Sequence, residues 1–156
     1  MLRKSGLLLA AVVAMVVIAT GVALAVSGSY TGTNSNNTIT GSSTADRIAG
    51  GGGDDTISGR ASGDQLYGDF GSDKLNGETG NDELYAGSGS DTLLGDGDND
   101  FINTADNRAN DVIACGTGTD EVVADVGDKI DTGEEDVAIT ATTTSSGNCE
   151  KVVPVP

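Results

Sequence analysis

The sequence predicts an all-β solenoid, in which short strands and glycine-rich turns wind into a coil with parallel sheets. Three observations predict it. A nine-residue pattern repeats without a gap from Gly32 to Asn103, an aliphatic residue recurs at the eighth position of every unit, and glycine makes up 24 of the 156 residues. This glycine content is about twice the average for proteins. Such regularity indicates stacked repeats rather than an ordinary globular core.

The composition excludes several functions. The chain has 24 Asp and Glu against 8 Lys and Arg, a net charge of −16, and no histidine. A polyanion of this density repels phosphate backbones, so binding to nucleic acid is disfavoured. Without histidine, a Ser-His-Asp triad and a His-ligated zinc site are impossible. An acidic, aromatic-poor chain is typically either disordered or folded with the help of cations.

The N-terminal segment predicts export. Arg3 and Lys4 precede an apolar run over residues 7–22, and Ala23-Leu24-Ala25 follows. A charged start, an apolar stretch and small residues at this spacing are typical of a secretory signal, here residues 1–25 with cleavage after Ala25. The alternative is an uncleaved anchor, because about 20 apolar residues can span a bilayer. We expect a secreted protein, with membrane contact only through this segment if it is retained.

The two cysteines are interpreted in the same context. In an oxidising compartment Cys115 and Cys149 are expected to form a disulfide. It would close a loop of about 35 residues and contribute roughly 4 kcal/mol in the chain-entropy model. A pair of free thiols is the alternative.

Three columns of the repeat carry the structural information. The first position is glycine in every unit except the one that begins at Ala86. The sixth position is Asn37 in the first unit and aspartate in the others, and the eighth is Ile39, Ile48, Ile57, Leu66, Leu75, Leu84, Leu93 and Ile102. A disordered acidic tract would not need an aliphatic residue at every ninth position.

These columns predict a local geometry. Positions seven to nine should form a strand of three residues with one inward side chain. The first six positions have the chemistry of a turn. Two units per turn make an 18-residue coil, so that every second aspartate lies on the same edge. Adjacent coils are about 4.8 Å apart, and a divalent cation between them would remove the repulsion between carboxylates.

The units resemble the Gly-Gly-x-Gly-x-Asp-x-aliphatic-x nonapeptide of repeats-in-toxin, or haemolysin-type, calcium-binding proteins. The resemblance implies a parallel β-roll, with Ca²⁺ held between same-edge loops by the position-six aspartates and by loop carbonyls. It is closest at residues 50–55 and weaker where Arg60, Ser62 and Asp98 replace glycine or add charge. The implied metal-site residues are Asp46, Asp55, Asp64, Asp73, Asp82, Asp91, Asp100, Gly51, Gly53, Gly71, Gly80 and Gly89.

Same-edge neighbours give five candidate calcium sites. They are Asp55/Asp73, Asp73/Asp91, Asp46/Asp64, Asp64/Asp82 and Asp82/Asp100. Because Asn37 replaces the first acid, the first coil is expected to serve as a cap rather than as a calcium site.

The repeat degrades toward the C-terminus. A two-residue insertion precedes residues 106–114, and a one-residue deletion precedes the last unit, which contains Asp128 and Ile130. We therefore divide the chain into a signal peptide (1–25), calcium-binding β-roll repeats (26–131, regular over 32–103 and degraded over 106–131) and a C-terminal cap or tail (132–156). The end of the chain resembles the disulfide-tied cap of secreted actinobacterial members of the family, and residues 133–147 are expected to form a surface excursion.

Three functions remain open at this point. The first is a free-standing secreted calcium-binding protein, the second a secreted enzyme, and the third a structural or adhesive component of the extracellular matrix or cell surface that uses the roll as a spacer. An enzyme is disfavoured because the repeats begin about seven residues after the predicted cleavage site and no G-x-S-x-G motif is present. Paired carboxylates such as Asp54 and Asp55 are explained better by the repeat than by a glycosidase, because no apolar pocket is expected to raise a pKa. The sequence names no protein partner.

Overall fold

The computed structural model describes residues 22–24, 28–106, 108, 110–131, 137–138, 149 and 151–155. Most of the predicted signal peptide, its cleavage site and most of the predicted surface excursion lie outside the described residues. Within the described part of the chain, no helix is long and apolar enough to cross a membrane.

Short strands follow one another along the whole described chain. They are β1 (Val22–Leu24), β2 (Ser29–Thr31), β3 (Thr38–Thr40), β4 (Arg47–Gly52), β5 (Thr56–Ala61), β6 (Gln65–Phe70), β7 (Lys74–Thr79), β8 (Glu83–Ser88), β9 (Thr92–Gly97), β10 (Phe101–Asn103), β11 (Val112–Thr117), β12 (Glu121–Asp125), β13 (Lys129–Ile130), β14 (Val137–Ala138) and β15 (Lys151–Val155).

The strands alternate between two sheets, as the predicted coil of two units per turn requires. One sheet has the order β1-β3-β5-β7-β9-β11-β13-β14, and the other has the order β15-β12-β10-β8-β6-β4-β2. Neighbouring strands are parallel, and the regular units pair in steps of one coil, as in Ile57 with Leu75 and Leu66 with Leu84. Only the final pair, β13 with β14, is antiparallel. The predicted parallel β-roll is confirmed.

The predicted strand length is wrong. Most strands of the regular region contain six residues, because pairing continues into the first three positions of the next unit. Between β4 and β6 the ladder omits position one and resumes with Gly51 opposite Asp69 and Gly52 opposite Phe70. Gly51 has φ 99° and Asp69 has φ 71°. A left-handed residue at position two therefore bends the strand without ending it.

The core is a single column of aliphatic side chains from each sheet. The position-eight residues are at most 2 % exposed, and Ile113, Val122, Ile130 and Val152 continue the columns into the degraded units. Burial of one such side chain contributes about 1.5–3 kcal/mol. Each coil brings only two of them, so that the solenoid has a thin core for its length.

The C-terminal end is tied by the predicted disulfide. Cys115 and Cys149 are bonded, with their Cα atoms 5.4 Å apart. Both side chains are 2 % exposed. Strand β15 begins two residues after Cys149 and pairs with β12. The bond thus links the last strand of one sheet to β11 of the other, and the expectation of a disulfide-tied cap is confirmed.

The outer face of the seven-stranded sheet carries a short aromatic stack. The rings of Tyr67 and Tyr85 lie 4.9 Å apart and almost parallel, as expected from their 18-residue separation. The guanidinium of Arg47 covers the other face of the Tyr67 ring at 4.3 Å. Since these ring faces are already covered, the stack is best explained as a contribution to sheet stability.

Two adjacent leucines provide a test of the core. Leu93 is fully buried at position eight, whereas its neighbour Leu94 lies on the outer face and is partly exposed. We expect Leu93→Ala to lower the free energy of unfolding by about 2–5 kcal/mol, because it leaves a cavity in the column, and Leu94→Ala to lower it by less than about 1 kcal/mol. Denaturant unfolding of both variants measures this difference. Equal losses would contradict the assignment of position eight as the core.

Candidate metal centre

The position-six aspartates form a ladder along each edge of the coil. Their side chains are buried, with exposures between 1 % and 5 %. In each step one carboxylate oxygen, Oδ1, accepts the backbone N–H of the aspartate one coil earlier. Asp55 N–H donates to Asp73 Oδ1 at 2.7 Å, and Asp64 N–H donates to Asp82 Oδ1 at 2.7 Å. The structure therefore brings together the same-edge aspartates as the 18-residue coil predicts.

The second oxygen of these carboxylates, Oδ2, has no such donor. Among the described residues it is buried without a hydrogen-bond partner in Asp55, Asp64, Asp73, Asp82, Asp91, Asp100 and Asp111. A buried polar atom left without a partner costs about 1–3 kcal/mol, and more when it is charged. One unsatisfied atom is an exception to explain, but a regular column of them indicates that the fold leaves these oxygens for a ligand.

Glycine at position one makes room for this oxygen. A Cβ atom built on Gly59 would lie 2.5 Å from Asp64 Oδ2 and 3.0 Å from the carbonyl oxygen of Gly77. The corresponding atom on Gly68 would lie 2.6 Å from Asp73 Oδ2. Real Cβ atoms do not approach other atoms so closely, and the position-one column is therefore glycine for steric reasons.

The other glycines of the predicted site allow neighbouring loops to approach. Gly51, Gly53, Gly71 and Gly80 have positive φ, from 92° to 133°. A Cβ on Gly89 would overlap the carbonyl oxygen of Gly71 one coil earlier and would lie 3.2 Å from Asp91 Oδ1. Carbonyl and carboxylate oxygens from adjacent loops thus converge on the same region, and these are the ligand types that Ca²⁺ prefers.

Residues that replace glycine adopt the same backbone conformation. Arg60 has φ 86°, Ser62 has φ 76° and Asp98 has φ 75°. Such left-handed residues cost of order 1–3 kcal/mol each. The loops that match the repeat poorly therefore have the same shape as the regular loops, but with backbone strain at these residues. The Asp98 carboxylate also accepts a hydrogen bond from the Gly80 N–H at 3.2 Å.

Burial makes these carboxyl groups reluctant to ionise. The pKa of Asp64 and of Asp73 is raised from 3.8 to about 7, with desolvation by burial the largest cause and the charges of their same-edge neighbours a smaller one. The pKa of Asp100 is also raised to about 7, and that of Asp82 to about 6, with desolvation again the largest cause. No apolar pocket was expected to raise the pKa of a paired carboxylate such as Asp55, but burial in the turn raises the pKa of Asp55 and of Asp100.

A cation at this edge would be bound by few side chains. Within the described parts of the chain, no group of three or more His, Cys, Asp or Glu side chains is arranged to hold a metal ion. Two same-edge carboxylates with loop carbonyls remain as the donor set. This all-oxygen set fits Ca²⁺. The buried Oδ2 atoms, which accept no hydrogen bond, are free to act as ligands.

The first aspartate of the ladder differs from the others. Oδ1 of Asp46 accepts the Gly28 N–H at 2.8 Å, and its Oδ2 accepts the N–H and hydroxyl of Ser42 at 2.6 Å and 2.9 Å. In the coil before it, Asn37 Oδ1 accepts the Thr33 N–H. Protein donors thus satisfy this end of the solenoid.

Two features of the site were missed in the sequence. The aspartate ladder extends to Asp111, which the predicted site omits although it occupies position six of a degraded unit. A second ladder runs at position five in the opposite sense, where Asp54 N–H donates to Asn36 Oδ1 and Asn99 N–H donates to Asn81 Oδ1, at 2.9 Å and 3.0 Å. The sequence does indicate this second ladder, because Asn or Asp recurs at position five with a spacing of 18 residues.

Comparison with known proteins agrees with this geometry. A family model described as RTX calcium-binding nonapeptide repeat (4 copies) matches residues 31–66 and again residues 67–102. The two matches adjoin and coincide with the eight regular units to within one residue. No curated protein and no solved structure matched the chain.

The close approach of the loops can be tested with two glycines. Gly89→Ala should destabilise the protein by at least about 1–3 kcal/mol, because its methyl group would overlap the Gly71 carbonyl. Gly97→Ala is the matched control, since a Cβ there meets nothing closer than 3.4 Å. Thermal unfolding of both variants compares them. A Gly89→Ala variant as stable as Gly97→Ala would contradict the described loop packing.

The raised pKa values predict an unusual pH dependence for the metal-free protein. Because the folded state favours the protonated carboxyls, their stabilising effect is complete below the ordinary pKa of 3.8 and is lost as the pH rises through about 7. Protein freed of metal on a chelating resin should therefore have a larger free energy of unfolding at pH 5 than at pH 8. Stability that rises over this range would be the opposite result.

Proposed function

Residues 31–102 belong to the family of RTX calcium-binding nonapeptide repeats, and from this we propose that the protein is a secreted calcium-binding protein whose folding is coupled to Ca²⁺. The observation that carries the proposal is the column of buried aspartate Oδ2 atoms without hydrogen-bond partners. The position-six aspartates from Asp55 to Asp100 hold Ca²⁺ between successive same-edge loops, and the loop carbonyls complete its coordination.

Charge balance supports this role. The chain has a net charge of −16, and removal of residues 1–25 would leave 24 acidic against 6 basic residues. Stacking places the carboxylates of neighbouring coils next to one another, as the effect of the Asp82 charge on the pKa of Asp64 indicates. A divalent cation between two such groups neutralises both charges and binds the oxygens that protein donors leave unsatisfied.

The coupling to folding follows from the energetics of the coil. Ordering the backbone costs about 1–2 kcal/mol per residue, and each coil buries only two aliphatic side chains of the core. Extracellular calcium modules bind with Kd of roughly 10⁻⁴ to 10⁻³ M. At about ten times Kd, each independent site adds roughly 1.4 kcal/mol. Several sites together are then comparable to the whole stability of a small domain.

Binding is proposed rather than catalysis because the acidic groups are inaccessible. Asp64, Asp82 and Asp91 are each 1 % exposed. A substrate cannot reach carboxyls that are covered in this way, although an ion that enters while the loops close can. We therefore interpret the raised pKa values as a property of buried metal ligands in the absence of the metal, and not as a sign of a general acid.

Secretion is proposed on two grounds. The N-terminal segment has the pattern of a signal peptide, and the bond between Cys115 and Cys149 is of the kind that persists in oxidising compartments.

A calcium titration followed by circular dichroism tests the proposal. We expect a β spectrum to develop as Ca²⁺ rises to the millimolar range, and Mg²⁺ to substitute poorly because it requires octahedral geometry and loses water reluctantly. A spectrum that does not change between chelator and millimolar Ca²⁺ would show that the fold does not depend on the ion.

Two variants refine this test. Asp73→Asn should raise the calcium midpoint more than Asp46→Asn does, because Asp73 has same-edge partners on both sides, Asp55 and Asp91, in loops that match the repeat well. Asp46→Asn should raise it least, since Ser42 already binds its carboxylate. Equal effects of the two substitutions would contradict the assignment of the ladder as the calcium site.

A further inference from the structure

The aspartate ladder continues past the matched repeats and across the two-residue insertion. Asp91 N–H donates to Asp111 Oδ1 at 2.8 Å, with 20 rather than 18 residues between the partners. The strands that follow stay in register, with Thr92 opposite Val112 and Leu93 opposite Ile113. The two extra residues are absorbed in the connection before Asp111, and the step from Asp91 to Asp111 has the geometry of a regular one.

Both carboxylates of this step have an unused oxygen. Asp91 is 1 % exposed and Asp111 is 0 % exposed, and Oδ2 of each lacks a hydrogen-bond partner. The same holds for Asp73 and Asp91 in the preceding step of the same edge. Both carboxylates are fully buried, each with one oxygen satisfied and one not, and Asp111 lies in a unit that the family model does not reach, whereas Asp91 lies within the matched residues.

The described residues of the surrounding loop do not supply the missing donors. Their backbone N–H groups are engaged elsewhere: those of Asp106 and Arg108 donate to Asp125 Oδ2, and those of Asn110 and Asp111 donate to Asp128 Oδ1. The second oxygen of Asp128 accepts the Thr104 hydroxyl at 2.9 Å. Both carboxylate oxygens of Asp128 thus have hydrogen-bond donors from the protein, whereas Oδ2 of Asp111, one coil earlier, has none. Asp111 is therefore the last described aspartate on this edge with an oxygen available to a ligand.

We infer that Asp91 and Asp111 hold an additional Ca²⁺ ion at the junction between the regular repeats and the C-terminal cap. The inference rests on the proposed function. It makes Asp91 a ligand of two successive ions on one edge, and it places one ion beside the insertion, where it joins the regular coils to the disulfide-tied end. Asp46, whose Oδ2 is already bound by Ser42, contributes no comparable site.

Calcium stoichiometry measured by native mass spectrometry and calorimetry on the disulfide-bonded protein tests this site. Asp111→Asn retains an oxygen that can accept the Asp91 N–H but loses the carboxylate, and it should bind one Ca²⁺ fewer than the parent protein. Asp46→Asn, the matched control at the other end of the ladder, should bind as many as the parent. An unchanged count in Asp111→Asn, or an equal loss in Asp46→Asn, would overturn the inference.

A second pair of variants covers the case in which Asp111→Asn does not fold. Asp91→Asn should lose two ions, whereas Asp55→Asn, at the end of the same edge next to Asn37, should lose one. A loss of one ion from both variants would overturn the Asp91/Asp111 site but not the proposed function. If the parent protein binds no Ca²⁺ at all, the proposed function itself fails.

Discussion

The structure depends on the contact between each position-six aspartate and the backbone of the coil before it. One oxygen of the carboxylate accepts an N–H group from the preceding same-edge loop, as Asp73 does from Asp55. This bond joins coils at the turns, where no strand pairing is available. It also holds the carboxylate inside the edge of the solenoid, where its second oxygen has no donor. The same side chain therefore both joins the coils and presents the buried oxygen on which the proposed calcium binding rests.

The remaining features of the solenoid accommodate this arrangement. Glycine at position one, present in every regular unit except the one that begins at Ala86, keeps a Cβ away from the buried oxygen, and glycine at position four, as at Gly89, allows adjacent loops to approach closely. The position-five ladder, as in Ser72 N–H to Asp54 Oδ1, connects the coils in the opposite sense on the outer side of the turn. The aliphatic columns form the interior, with two large buried side chains in each coil.

The two ends are built differently from the middle. Near the start, Ser42 satisfies Asp46. Near the end, Thr104 and backbone groups satisfy Asp128, and a disulfide ties β11 to the last strand. At these two places the protein's own donors satisfy both carboxylate oxygens, which is consistent with the cap role expected for terminal repeats.

The sequence by itself determined the period, the two-sheet coil, the buried aliphatic column, the edge on which each aspartate lies and the pairing of Cys115 with Cys149. These follow from local patterns that recur every nine residues and from the number of cysteines. Tertiary structure alone decided that strands reach six residues, that Arg60 and Ser62 adopt glycine-like backbone angles, and that Asp111 belongs with the unsatisfied aspartates while Asp46 does not. The reason is that the hydrogen-bond partners of these aspartates are not set by the repeat. Some partners lie 18 or 20 residues away in another coil, and others, such as Ser42, are neighbours in sequence that contact the carboxylate only because of the shape of the turn. A repeat pattern specifies which residue occupies a position, but the packing of coil against coil specifies which of its atoms remain free.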